Sequence, residues 1–319
     1  MTGVLIVDKP SGLTSHDVVN RMRRILEERS IGHLGTLDPM ATGVLPMVCG
    51  GFTRLAQFYL LSEKVYEGTI RFGFSTDTYD AEGEPTSEPQ PVELTREVLE
   101  ELAAKFCGVI EQLPPPFSAK KIKGVPAYKL ARKQKDVTLK PVQVEIKELE
   151  ILSTEGDRAQ FRARVGCGTY MRSVAHDLGR ALGCGAHLEK LRRTAAGEFK
   201  IEDAHTLEEI AVAAGNCVRS AGRVSTPTSP DGTQALDELF IHPRKLLPEL
   251  PSVTADEQTV ARIRSGLTVN LPELSRARQV KVFAGQRELV AIATRVAGTL
   301  FHAKVVLYST STERAPTPA

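Results

Sequence analysis

"GHLGTLDPMATGVLP", residues 32–46, decides the reading of this 319-residue chain. It sets one carboxylate, Asp38, among Gly32, Gly35 and Gly43, Thr36 and Thr42, and Pro39, with His33 five residues upstream. Asp followed by Pro is a good helix start, because the aspartate caps and a proline in the first helical position leaves no amide hydrogen unpaired. The competing reading is a loop built to hold a carboxylate against a ligand. Glycines let a bound molecule approach the backbone closely, and the following proline narrows the conformations open to Asp38. The stretch alone leaves both readings open.

Upstream, "GVLIVDKPSGLTSHDVVNRMRRILEERSI" opens with a continuous apolar run at 4–7, which Asp8, Lys9 and Pro10 stop. That run is a strand rather than a signal peptide, and no apolar run approaches membrane-spanning length. Thr14 or Ser15 is the N-cap of a helix carrying Val18, Met22, Ile25 and Leu26 at helical spacing. Downstream, "YEGTIRFGFST" places Tyr66, Gly68, Ile70, Phe72 and Phe74 on one face at the strand period of two. A helix is expected over 95–106 with Val98, Leu99, Leu102 and Phe106 inward, and strands over 142–152 and 158–167. "GTYMRSVAHDLGRALGCGAH" turns straight into a helix with Met171, Val174, Ala175, Leu178 and Leu182 on one side. Further on come a turn-rich insertion at 222–234, a short helix at 256–263, strands at 279–283, 288–293 and 299–306, and a disordered tail at 310–319.

At this length two domains are expected. Cys49, Cys107, Cys167, Cys184 and Cys217 are odd in number and scattered, as for reduced thiols in a cytoplasm, and no C-x-x-C pair supports zinc at "CGAH". The net charge is only +2, but it is segregated. Residues 77–101 hold nine acids and one base, 118–140 hold eight bases and one acid, and 158–200 hold nine bases and three acids. Either one side of the molecule faces a polyanion, or oppositely charged loops neutralise each other.

Arg172 lies in the first turn of its helix, where the dipole disfavours a cation by roughly 0.3–1 kcal/mol. That placement asks for an anionic partner, a phosphate or a carboxylate such as Asp38, unless the side chain is simply solvated. Tyr66 reads as a core tyrosine and His33 as a loop residue when each is taken alone. G-x-S-x-G, Walker and dinucleotide fingerprints and H-E-x-x-H are all missing from the sequence, and "DTYDAEGE" lacks calcium-loop spacing. An enzyme built on these residues would work through a carboxylate without a cofactor.

Five segments, "VDKPSGLTSHDVV", "GHLGTLDPMATGVLP", "YEGTIRFGFSTDTYDAEGE", "PPPFSAKKIKGVPAYKLAR" and "GTYMRSVAHDLGRALGCGAHLEKLRRTAAGEF", occur in order over about the first two hundred residues. Together they resemble the TruB-type tRNA pseudouridine synthases, which isomerise uridine 55 in the T-loop of tRNA. The resemblance implies an α+β pseudouridine synthase fold, with a mixed, largely antiparallel sheet and a central RNA-binding cleft over 1–244. A small β-rich, PUA-like RNA-binding domain is implied over 245–309. It makes Asp38 the catalytic aspartate, Arg172 its partner and Tyr66 the residue stacking on the target base. It places Tyr170 and Leu191 in the uridine pocket and His33 against the loop nucleotides, where it helps extrude the target. Lys120, Lys121, Lys123, Lys129 and Arg132 fall in a loop that closes on the RNA backbone, and the Lys9-Pro10 turn gives support. Asp38 is suited to attack C1′ or C6, or to take the 2′ proton; the sequence leaves the three open. The implied partner is the tRNA T-arm, with no metal, cofactor or membrane, and the implied state is a cytoplasmic monomer. An RNA-folding protein with incidental isomerase activity, or an isomerase for another RNA site, are the alternatives.

Overall fold

The apolar run at the N-terminus becomes β1 (Gly3–Lys9), whose Val4, Leu5, Ile6 and Val7 are fully buried. The structure is a computed structural model. It describes residues 1–117, 139–215, 235–273 and 275–307, and the backbone of pairs 121–122 and 125–126. The expected insertion at 222–234 and tail at 310–319 lie outside the described residues, as does Cys217.

Thr14 caps α1 (Ser15–Ile25) in a capping box with Asp17 that satisfies two amides at the helix start, and Val18, Val19 and Met22 turn inward. Then follow β2 (Ile31–His33), β3 (Thr42–Cys49), a 3-10 segment (Gly50–Phe58), β4 (Lys64–Phe72), α2 (Arg96–Phe106) and β5 (Gly108–Gln112). A two-residue pair, β6 (Lys121–Ile122) and β7 (Val125–Pro126), precedes β8 (Val142–Glu155) and β9 (Arg158–Val165). α3 (Met171–Leu182), β10 (Ala186–Ala196), β11 (Phe199–Lys200) and α4 (Leu207–Ala213) complete this part. The strands form one sheet in the order β1-β3-β10-β4-β9-β8-β5, with β2 beside β3 and β11 beside β10. Only β10 and β3 run parallel; the remaining pairs are antiparallel. This is the mixed, largely antiparallel sheet expected of the fold.

β12 (Ser252–Ala255), α5 (Glu257–Arg264), β13 (Val269–Asn270), β14 (Gln279–Ala284), β15 (Glu288–Ala297) and β16 (Leu300–Val306) build a second sheet in the order β12-β14-β15-β16-β13. The two sheets share a core in which Val4, Ile6 and Val48 meet Leu246, Phe283, Leu289 and Val305. Among the described residues no helix is long and apolar enough to cross a membrane.

Three local differences have physical reasons. Val98 was expected inside, but α2 buries Leu99 and Ala103 and leaves Val98 half exposed, because the helix meets the sheet along a narrow stripe. β4 stops at Phe72 rather than running on to Phe74. Gly73 takes a φ of 101° and gives its N–H to the Gly185 carbonyl, which turns the chain off the ladder. β10 has no counterpart in the sequence reading. Its "HLEKLRRTAA" breaks the alternation of a strand, with register shifts at 188–190 and 193–195, yet it lies between β3 and β4 at the middle of the sheet.

Candidate active site

The loop holding Asp38 leaves β2 and returns as β3. Between them, residues 38–41 make one turn closed by the Ala41 N–H on the Asp38 carbonyl (3.1 Å), and no helix follows. The helix-cap reading of Asp-Pro is therefore not what the fold uses. Three side chains fix the loop from behind. Lys9, fully buried, donates from Nζ to the carbonyls of Pro10 (2.9 Å), Pro39 (3.0 Å) and Ala41 (2.6 Å). Ser15 receives the Leu37 N–H at 2.8 Å. Arg193, 1% exposed, donates to the carbonyls of Val44 (2.7 Å), Gly35 (3.0 Å) and Thr36 (3.4 Å). At Gly43 (φ +99°) a Cβ would lie 2.2 Å from the Arg193 carbonyl, so only glycine admits β10 here.

Arg172 enters from α3 and meets the carboxylate in a two-pronged pair, Nε to Oδ2 and Nη2 to Oδ1, both 2.9 Å. Its remaining bonds go to the Thr78 carbonyl (Nη1, 3.1 Å) and the Phe117 carbonyl (Nη2, 3.0 Å), and Asp80 Oδ2 stands 3.6 Å from Nε. The guanidinium is 5% exposed and the Asp38 side chain 33%. The pair therefore has a sealed back and an open front, the arrangement a carboxylate needs to meet a substrate while its charge partner is held rigid.

Tyr66, 8% exposed, sits on β4 opposite Arg193 and Ala163 and belongs to the same apolar cluster as Leu37, Ala41 and Leu191. Leu191 also lines a cleft of about 670 Å³ with Met40, Thr42, Gly68, Glu82 and Arg192. The half-buried His33 accepts the Gly35 N–H at Nδ1 (3.3 Å), and burial, then the Arg193 charge, pushes its pKa down. Tyr170 caps α3, and Gln112 holds its backbone at both ends, accepting its N–H (2.8 Å) and donating to its carbonyl (3.1 Å). The structure thus joins Asp38 to Arg172 directly and gathers Tyr66 and Leu191 in the cluster that backs the loop. Lys120, Lys123, Lys129, Arg132 and the side chain of Lys121 lie outside the described residues.

Gln112 and Asp80 were not singled out from the sequence. Gln112 is fully buried and its side-chain amide pairs with both backbone groups of one residue, Tyr170. Replacing it with leucine takes this acceptor from the Tyr170 N–H and one of two donors from the Tyr170 carbonyl, which keeps the Val174 N–H (3.2 Å), so we expect a loss of about 1–3 kcal/mol in denaturant unfolding. Asp80, 4% exposed, takes the Thr78 hydroxyl (2.6 Å) and the Glu82 N–H (3.1 Å) on Oδ1. Burial, with the Asp80 and Asp38 charges behind it, pushes the neighbouring Glu82 carboxyl up. Alternating acids and turn residues hide such a buried carboxylate, because nothing local marks one acid as inward.

Residues 23–171 match the model of the TruB family pseudouridylate synthase N-terminal domain, and residues 172–224 that of the tRNA pseudouridylate synthase B C-terminal domain. The tRNA pseudouridine synthase B of Solibacter usitatus is 49% identical over 310 residues, covering 96% of this chain and 100% of that protein. The protein of the same name from Aquifex aeolicus is 47% identical over 211 residues, covering 66% of this chain and 73% of its own. A chain of the archaeal box H/ACA sRNP Nop10-Cbf5 complex superposes with a TM-score of 0.68 at 26% identity, over 97% of this chain and 87% of that one. The fold is that of a pseudouridine synthase. The chain belongs to the TruB family of pseudouridylate synthases. The boundary between its two family regions falls inside α3, beside Arg172, so the second region supplies the central strand β10 to the first sheet.

Proposed function

We propose that this chain converts uridine 55 of the tRNA T-loop to pseudouridine, with Asp38 acting on the nucleotide. The observation that carries the proposal is the open carboxylate of Asp38 locked by a buried arginine, within a chain whose full-length relative is a tRNA pseudouridine synthase B. A stacked base is out of reach, so the target is flipped out at a cost of a few kcal/mol. Tyr66 stacks on the base, Tyr170 and Leu191 line the uridine pocket, and His33 packs against the loop nucleotides and helps extrude the target. The N1–C1′ bond breaks, the uracil turns, and C5 bonds to C1′. C5 gives up its proton and N1 takes one, so atoms balance without an oxidant or reductant. Asp38 serves as nucleophile or base through this sequence.

Residues 1–244 form the catalytic unit in this reading, and residues 245–309 a PUA-like RNA-binding domain. The basic loop with Lys120, Lys121, Lys123, Lys129 and Arg132 closes on the phosphates, an attraction that falls with salt. The protein acts as a monomer on the T-arm in the cytoplasm. Incubation with an unmodified tRNA transcript, followed by mapping, is expected to place pseudouridine at position 55. Modification at another position, or bound but unmodified RNA, would overturn the assignment.

Lys9 adds a pH dependence. Burial lowers its pKa from 10.5 to about 8, against the opposing pull of Asp38. Between these two values the unfolded chain binds more protons than the folded one, so this group alone raises stability as pH rises. The neutral amine, however, has two N–H groups for three carbonyls, and the Asp38 loop loosens. Turnover is expected to fall as pH rises through about 8 without a matching fall in unfolding temperature, and Lys9→Met is expected to remove that inflection. A pH–rate profile beside a pH–melting profile checks it.

A further inference from the structure

Tyr79 has a φ of 66°, in the left-handed region that residues with side chains rarely adopt. Such conformations persist where the surroundings over-determine them, and they cluster at functional sites. The kink turns the neighbours of Tyr79 toward Arg172. The Thr78 carbonyl accepts from Nη1 at 3.1 Å, and Asp80 Oδ2 lies 3.6 Å from Nε. The Tyr79 ring stacks instead on His176, with centroids 3.8 Å apart and planes 11° from parallel. Arg172 and His176 are four residues apart in α3, hence one turn apart on one face. That face grips residues 78–80 twice, by the guanidinium and by the stacked rings. His176 Nδ1 is buried without a hydrogen-bond partner among the described residues, so stacking rather than hydrogen bonding at that atom holds the ring. The segment is also stitched to β10, through the Leu188 N–H on the Tyr79 carbonyl and the Ala81 N–H on the Leu188 carbonyl, both 3.0 Å.

We propose that Tyr79 and His176 are positioning residues of the isomerisation. Their stacked rings press the 78–80 segment onto α3, so that the Thr78 carbonyl and the Asp80 carboxylate hold the Arg172 guanidinium in the plane of Asp38. Neither ring touches the reacting atoms; the pair acts through Asp80 and Arg172. The inference rests on the function proposed above.

Tyr79→Gly separates ring from backbone, because glycine relieves the left-handed strain and keeps the β10 stitches while removing the stack. Single-turnover rates on tRNA transcript are expected to fall about tenfold in Tyr79→Gly and in His176→Ala, the size of one lost aromatic stack, with the dissociation constant for tRNA unchanged. Tyr79→Phe keeps the ring and is expected within about twofold of wild type. The double variant should lose no more than either single one, and in an Asp80→Asn background Tyr79→Gly should cost clearly less, because only the Thr78 carbonyl is then left for the stack to place, an epistasis that general destabilisation would not produce. Wild-type rates in Tyr79→Gly, an undiminished loss in the Asp80→Asn background, or weakened tRNA binding at an unchanged rate would each overturn the inference. If circular dichroism shows Tyr79→Gly unfolded, His176→Ala carries the same comparisons. A wild-type chain inactive on every transcript refutes the functional proposal itself, whereas an active wild type matched by Tyr79→Gly refutes only the positioning role.

Discussion

Asp38→Asn is expected to abolish isomerisation, by about four orders of magnitude or more, while tRNA binding persists. The substitution preserves shape and removes the charge. It also turns the two-pronged pair with Arg172 into a mismatch, since the new amide NH2 meets one of the two guanidinium donors that Oδ1 and Oδ2 now accept at 2.9 Å. Binding should survive because attraction to RNA comes from phosphate contacts spread over the basic surface rather than from one carboxylate. Single-turnover assays under excess enzyme, with filter binding alongside, separate the two quantities. A variant that binds and still turns over at a near-normal rate would remove Asp38 from the chemistry.

Arg172→Lys follows with the next largest effect, a loss of about 100-fold or more. The arginine makes four hydrogen bonds, two to Asp38 and one each to the Thr78 and Phe117 carbonyls, from a side chain only 5% exposed. A lysine carries the same charge as a point, without the planar fork, and cannot reach these acceptors in their present directions. Each buried acceptor left unpaired costs about 1–3 kcal/mol, so the melting temperature should fall together with turnover. The Phe117 bond also ties the chain that leaves β5 to the guanidinium, so that stretch should loosen with it. Full activity in Arg172→Lys would show that the pair merely coexists with catalysis.

The parts legible in the sequence are those whose physics is local. α1 shows its cap at Thr14 and its stripe at Val18 and Met22, and β9 shows its alternation through Phe161, Ala163 and Val165. The strands of the second sheet, at 279–284, 288–297 and 300–306, show instead as short apolar runs between turn residues. Asp38 and Arg172 could be singled out separately, one by its loop and one by a charge set against a helix dipole. Only the fold brings them together across 134 residues. Lys9 and Arg193 show why the remainder was hidden. Both look like surface cations, yet both are buried and hold backbone carbonyls of the Asp38 loop, partners that leave no mark near either residue in the chain. β10 was missed for the related reason that its residues do not alternate, while the strands that pair with it arrive from residues 42–49 and 64–72.

The most direct measurement uses a tRNA transcript tritiated at C5 of every uridine. Rejoining the base through C5 must expel the hydrogen there, so the expected result is release of one equivalent of tritium per RNA, lost when position 55 is changed to cytidine. Release that survives that change, or tight binding of the transcript with every tritium retained, would contradict isomerisation at this site.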